Sequence, residues 1–259
     1  MADTPPPADA PRALHLAHAL ALLQRAGIAL PEPATAGEIA WLQALVDGLC
    51  ELSSRDALTG ALNRRSFELA LDRELDRVAR SGESALLLLL DLDHFKRVND
   101  LHGHPVGDRV LQTVAQTLQQ AVRPMDTVAR IGGEEFALIL PNCPPAFGET
   151  VAERVRARLA GRSLPLPGGG HLRITVSVGG AYAPAWVRSA ARYWLARADA
   201  QLYRAKAEGR NRSCFEPTDL QPALTRVSAD ERALLFGTPP PPAARDAPEV
   251  PGGPPEASD

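Results

Sequence analysis

The stretch ALLLLLDLD, residues 85–93, leaves the chain few choices. It is short, wholly apolar for its first six residues and ended by acids. Such a run reads as a β-strand buried on both faces. Around it the pattern alternates. RRSFELALDRELDRVAR is an amphipathic helix, and PVGDRVLQTVAQTLQQAV is a second, with Pro105 in its first turn. Two short strands flank Gly132-Gly133, then a helix over AFGETVAERVRARLAG, a strand in LRITVSVGGAYA, a helix in RSAARYWLARADAQLYRAKAEG and a last short strand near RSCFE. Strand, helix, strand, strand, helix, strand is the ferredoxin-like βαββαβ plan. The expected fold class is therefore α+β, an antiparallel-rich central sheet flanked by helices, which the plan puts on one face.

The flanks read differently. With 259 residues and 45% hydrophobic content the chain can bury one sizeable core plus appendages. Residues 1–10 read as disordered, and residues 11–54 as a helical segment for packing or dimerisation, with Thr35-x-x-Glu38 as a capping box opening its second helix. Residues 55–216 form the main domain. Residues 217–259 are too proline-rich to offset ordering entropy by burial, apart from a short helix over 228–236 behind a second capping pattern at Ser228 and Glu231.

Bulk charge and cysteine usage narrow the function classes. A net charge of −3 gives no basic field for duplex DNA. Cys50, Cys143 and Cys214 are odd in number and show no C-x-x-C, which argues against a disulfide framework or a thiolate zinc site and fits a reducing cytoplasm. The opening residues carry acids and prolines where a signal peptide would be basic, and His15, His18, Gln24 and Arg25 interrupt the apolar part that follows. Neither a signal nor a membrane span is expected.

The chemistry concentrates in two acidic places. Alternation along the strand puts Asp91 and Asp93 on one side at its carboxyl end, where open sheets hold ligands. In RIGGEEFALILP, Gly132-Gly133 allows a reversal with positive φ, and the hairpin strand can lie beside that of Asp91, so that Glu134 faces it. GGEE alone also suits a solvated turn. Paired with DLD, it describes two hard oxygen ligands for Mg²⁺, with water and phosphate oxygens completing the octahedron, for phosphoryl or nucleotidyl transfer.

RDALTGALNRRSF, DLDHFKRVNDLHGHPVGDRVL, RIGGEEFALIL, SVGGAYA and ADAQLYRAKAEGRNR occur in the order and at about the spacing of the GGDEF family, the diguanylate cyclases, which this sequence resembles over about three-fifths of its length. The resemblance implies condensation of two GTP into cyclic di-GMP and two pyrophosphates by facing domains of a homodimer, in bacterial second-messenger signalling. It implies Mg²⁺, or Mn²⁺ in its place, on Asp91, Glu134 and the Leu92 carbonyl, with Glu134, Glu135 and Asp91 as catalytic residues. Asn99 and Asp108 resemble guanine readers, for a carboxylate accepts from the N1 and N2 hydrogens that adenine lacks. Backbone amides of His94, Phe95 and Lys96, with the Lys96, Lys206 and Arg210 cations, resemble triphosphate ligands. Arg123 and Asp126 stand where relatives carry an R-x-x-D inhibitory site for the product, with Arg154 as a partner.

The sequence departs from the family at three points. GGEEF replaces GGDEF, which keeps a hard oxygen ligand. His94 stands where phenylalanine is usual and His102 where an aromatic is, which alters packing near the phosphates. His94, His102 and His104 lack the cysteine or His-x-x-x-His company of a zinc site. PLPGGGHL lacks the Gly-Lys-Ser/Thr of a phosphate loop and reads as a flexible loop, and Trp186, Tyr193 and Trp194 read as core or interface anchors. Two rival functions stand beside the cyclase: a non-catalytic cyclic di-GMP receptor using Arg123 and Asp126, disfavoured by the metal pair, and a cyclase also accepting ATP, disfavoured by Asp108.

Overall fold

The structure, a computed structural model, describes residues 14, 16–183, 186 and 189–216. The expectations for residues 1–10 and 217–259, including the helix over 228–236, lie outside the described residues. In chain order the elements are α1 (Ala17–Arg25), α2 (Pro33–Ala36), α3 (Glu38–Ser54), α4 (Arg64–Ser81), β1 (Ala85–Leu92), α5 (Phe95–His102), α6 (His104–Ala121), β2 (Thr127–Arg130) and β3 (Glu135–Pro141). Then follow α7 (Pro145–Ala160), β4 (Ser163–Pro165), β5 (His171–Arg173), β6 (Val176–Tyr182), α8 (Ala191–Ala207) and β7 (Ser213–Phe215).

Five strands form the main sheet in the order β2-β3-β1-β6-β7, with only β6 and β7 parallel. β1, β2, β3 and β6 with their connecting helices make the expected ferredoxin-like core, and β7 extends one edge. PLPGGGHL, expected as a loop, instead spans the end of β4, its turn and the start of β5, a separate two-stranded hairpin in which Gly169 and Gly170 take positive φ.

Helices cover both faces of the sheet, not one. Leu86, Leu88, Leu90 and Leu92 enter a core with Val110, Val114 and Leu118 of α6 and Val155 of α7. Ala85, Leu87 and Leu89 enter a second core with Phe67, Leu71 and Leu75 of α4 and Trp194, Ala198 and Leu202 of α8. The leucine run itself demands this arrangement. A one-sided sheet would leave alternate leucines in water, at about 1.5–3 kcal/mol each.

Two glycines let α8 lie directly on β6. A Cβ on Gly179 would stand 2.2 Å from the Leu202 nitrogen and 2.3 Å from the Ala198 oxygen, both helix backbone. On the opposite face, Gly180 leaves room for the Phe215 ring. Trp194 then sits fully buried and donates its indole N–H to the Ala181 carbonyl at 2.8 Å. Tyr193 and Trp186 stay exposed, the Trp186 ring lying against Gly82.

Local signals were kept or overridden by geometry. Asn63 caps α4 by accepting from the Ser66 amide at 3.0 Å, and Gly82, in the left-handed region, ends it. The Thr35 capping box does not form. Thr35 donates its hydroxyl to the Glu32 carbonyl at 3.0 Å within the separate turn α2, and α3 begins after Gly37 at φ +79°. The three cysteines are free thiols, Cys143 and Cys214 buried and Cys50 exposed.

Replacing Gly179→Ala forces α8 off β6, because the obstructing atoms are main chain and cannot rotate away. A loss of about 1–3 kcal/mol is expected from urea unfolding. Gly168→Ala, with nothing within 4 Å of its added carbon, should leave the midpoint near that of the parent.

Candidate active site

β1 delivers its acids at its carboxyl end, where Asp91 and Asp93 are both buried. Asp91 pairs in register with Glu135 on β3 and with Ser177 on β6. The Leu92 amide donates to the Glu134 carbonyl at 3.2 Å, so the turn that carries Glu134 is stitched to the end of β1. Lys206, near the end of α8, places Nζ 2.8 Å from Asp91 Oδ2. The Glu134 carboxyl is pushed up, first by burial and then by the charges of Asp91 and Glu135, while Lys206 pulls it back down.

That mutual repulsion is what a bound dication would relieve. Two carboxylates and a nearby backbone oxygen are hard donors suited to Mg²⁺ or Mn²⁺. Among the described residues no cluster of three or more His, Cys, Asp or Glu side chains converges. A metal here would therefore draw the rest of its shell from water and substrate oxygens. His94 and His102 line one cleft and His104 another.

Asp93 is an anchor rather than a second site carboxylate. Its oxygens accept from the Thr175 and Ser177 hydroxyls, each at 2.7 Å, and from the Asn211 amide at 3.0 Å. It thereby ties the end of β1 to β6 and to the turn after α8. In that turn Gly209, Arg210 and Asn211 all take positive φ, so Arg210 is held in a left-handed backbone beside the site.

Beside the acids opens a cleft of about 370 Å³ that brings together Phe95, Lys96, Asn99, Asp108 and Glu134. Gly107 makes this possible. A Cβ there would stand 1.9 Å from Asn99 Oδ1, so the bare backbone of α6 is what lets Asn99 and Asp108 share one wall. His94 begins α5 at φ +59°, and its side chain lines the neighbouring cleft with Arg97, His102 and Arg173. Any contact from His94 to the first cleft falls to its backbone.

Two residues missed in the sequence fix the acidic turn. Arg130 donates to the Gly133 carbonyl from Nη2 at 2.8 Å and from Nε at 3.3 Å, while its Nη1 reaches the Asp56 carboxylate at 3.2 Å. Burial works to raise the Asp56 carboxyl, but hydrogen bonds from Thr59 and Arg130 outweigh it and hold the group below the usual range. Neither Gly132 nor Gly133 takes a positive φ. Gly132 is needed for space instead: the Glu135 carboxylate folds back to where its Cβ would be. Four residues between β2 and β3 make a longer connection than the two-residue turn that requires left-handed glycines.

A second cleft, of about 350 Å³, holds Arg123 and Asp126. The Arg123 amide donates to Asp126 Oδ2 at 2.7 Å. Burial raises the Asp126 carboxyl, and that amide with the charges of Arg123 and Arg154 opposes the rise; Arg154 does not line the cleft.

A family model described as diguanylate cyclase, GGDEF domain, matches residues 53–212. The chain is 40% identical over 162 residues to the probable diguanylate cyclase DgcC of Escherichia coli, covering 62% of this chain and 43% of that protein. It is 38% identical over 172 residues to the response regulator PleD of Caulobacter vibrioides, covering 66% and 38%. The chain thus spans less than half the length of these curated relatives. Among solved structures it matches the GGDEF domain of DgcB from Caulobacter crescentus in complex with c-di-GMP, with a TM-score of 0.60, 36% identity, and coverage of 63% of this chain and 93% of that one.

Gly107→Ala should displace the Asn99 amide and cost about 1 kcal/mol of stability, the low end of overpacking, because the obstructing atom ends a side chain. Calorimetry on Gly107→Ala, Asn99→Ala and the double variant should give a non-additive cycle. Asp56 has a depressed folded pKa, so its contribution is full above the ordinary carboxylate range and is lost as pH falls through the folded value. Between pH 5 and pH 3 the parent should lose more stability to urea than Asp56→Asn does.

Proposed function

Since this chain belongs to the diguanylate cyclase GGDEF-domain family, we propose that it joins two GTP molecules into cyclic di-GMP and releases two pyrophosphates. The observation that carries this reading is the meeting of Asp91 and Glu134 beside a cleft that holds Asn99 and Asp108. In each of two half-reactions the 3′-hydroxyl oxygen of one GTP forms a bond to the α-phosphorus of the other. The bond from that phosphorus to the pyrophosphate oxygen breaks in line, and the hydroxyl proton leaves.

Each residue then has a task. Asp108 accepts from guanine N1 and N2, and Asn99 donates to the O6/N7 edge, which selects GTP over ATP. Backbone amides at His94, Phe95 and Lys96, with the Lys96 and Arg210 cations, hold the triphosphate; Lys206 balances Asp91 and offers its remaining hydrogens to phosphate oxygens. Asp91, Glu134 and the Leu92 carbonyl would hold Mg²⁺ or Mn²⁺, which when bound neutralises phosphate charge and acidifies the attacking hydroxyl. Glu134, with its raised pKa, is suited to take the hydroxyl proton, and Glu135 stands behind it in support. Most of the acceleration comes from positioning and fixed charge.

Two half-sites must face each other, so the working form is a homodimer. Ile39, Leu42, Val46 and Leu49 recur on α3 at coiled-coil spacing, with Ile39 and Val46 exposed, and support pairing with a second copy. The cytoplasm supplies the nucleotide and metal, and among the described residues no helix is long and apolar enough to cross a membrane. Product binds at Arg123, Asp126 and Arg154 and restrains turnover.

Protein freed of bound dinucleotide and given GTP and Mg²⁺ should yield cyclic di-GMP and pyrophosphate in a ratio of about one to two, as the reaction's own balance requires. Asp91→Asn or Glu134→Gln should cut the rate by about a thousandfold. A dimeric, product-free preparation that binds cyclic di-GMP but makes none would overturn the reading and leave a receptor.

A further inference from the structure

The cleft of Arg123 and Asp126 has a second wall that the R-x-x-D pattern does not contain. That wall is Arg55 and Leu62, from the segment between α3 and α4. Arg55 lies at the end of α3 and bridges to Leu62, and Leu62 in turn bridges to Ala129 of β2. The Leu62 amide donates to the Val128 carbonyl at 3.0 Å, and the Arg130 amide to the Leu62 carbonyl at 2.8 Å. The segment that joins the N-terminal helices to the catalytic unit is therefore an added edge of the sheet, and it forms one side of this cleft.

Arg55 is held by contacts that a ligand could replace. Its Nη2 and Nε reach Glu51 Oε1 at 3.1 and 3.2 Å, and Nη1 donates to the Gly60 carbonyl at 2.9 Å. Both Arg55 and Glu51 are about half exposed, so the pair is a weak surface ion pair and easily exchanged. A phosphate diester offers a guanidinium the same charge-assisted, two-pronged geometry as a carboxylate and can take its place. The next residue, Asp56, holds Arg130, which holds the Gly133 carbonyl in the catalytic turn.

We propose that Arg55 is a further binding residue of this cleft, taking a phosphate of a guanine dinucleotide by releasing Glu51, and so fastens the α3–α4 segment to β2 when the ligand is bound. This rests on the reading of Arg123 and Asp126 as a dinucleotide site. Ligand binding then clamps the segment through which the N-terminal helices reach the domain. The two neighbours divide the work: Arg55 faces the ligand, and Asp56 faces the turn that carries Glu134.

Isothermal titration of cyclic di-GMP into the full, product-free chain tests this, with parallel melting curves to establish folding. Arg55→Ala should weaken binding by about tenfold, the scale of one charge-assisted contact, and Arg55→Lys should recover part of the loss. Arg64→Ala, which removes a more exposed cation paired to Glu68 within α4, should change nothing. If Arg55→Ala binds as tightly as the parent while Arg123→Ala has lost affinity, the proposal falls and the R-x-x-D reading stands. If Arg123→Ala also binds as tightly as the parent, both fall. Should Arg55→Ala melt early, Arg55→Gln takes its place under the same criteria.

Discussion

A strand buried on both faces can present chemistry only where it ends. β1 is such a strand, and its side chains from Ala85 to Leu90 are closed off by helices on either side. The first charged residue along it is Asp91, buried but paired to Lys206. The acids gather there because nowhere else along the central strand could a carboxylate find a partner. The double cover that makes the core therefore also chooses the location of the site.

The acids at that end are sorted by the partners they find. Asp93 has three hydrogen-bond donors and becomes a joint between β1, β6 and the turn after α8. Asp91 has one lysine, and Glu134 has only neighbouring charges of its own sign and a more distant lysine. The excess of negative charge thus falls on the pair placed beside the cleft of Asn99 and Asp108. Identical side chains take different roles because their donors differ, and the donors come from distant parts of the chain.

This also marks the boundary of what could be read from the sequence. The leucine run, the βαββαβ order, Pro105 in the first turn of α6 and the adjacency of Asp91 to the GGEE turn were all legible, because periodicity and local turn chemistry encode them. Asn99 and Asp108 were legible only through resemblance, for nothing in their spacing says that Gly107 brings them to one wall. Asp93 looked equivalent to Asp91, since alternation along a strand says nothing of donors 82 and 84 residues away. Arg130 and Asp56, 74 residues apart, gave no pattern to read. The cover on the second face was implied by the leucines themselves, yet the supersecondary plan overrode that implication because it does not include α4 or α8.

The close seat of α8 on Gly179 also sets how the site can give. At that point main chain rests on main chain, with no side chain between that could rotate to let the helix slide. Lys206 and Asp91 therefore behave as a fixed anvil. Glu134 is set against them by a turn held through its main-chain oxygens: the Glu134 carbonyl takes the Leu92 amide, and the Gly133 carbonyl takes Arg130. The Glu134 carboxylate is thus placed through its backbone and through Arg130, so a change at Arg130 or Asp56 would shift it without altering Glu134 itself.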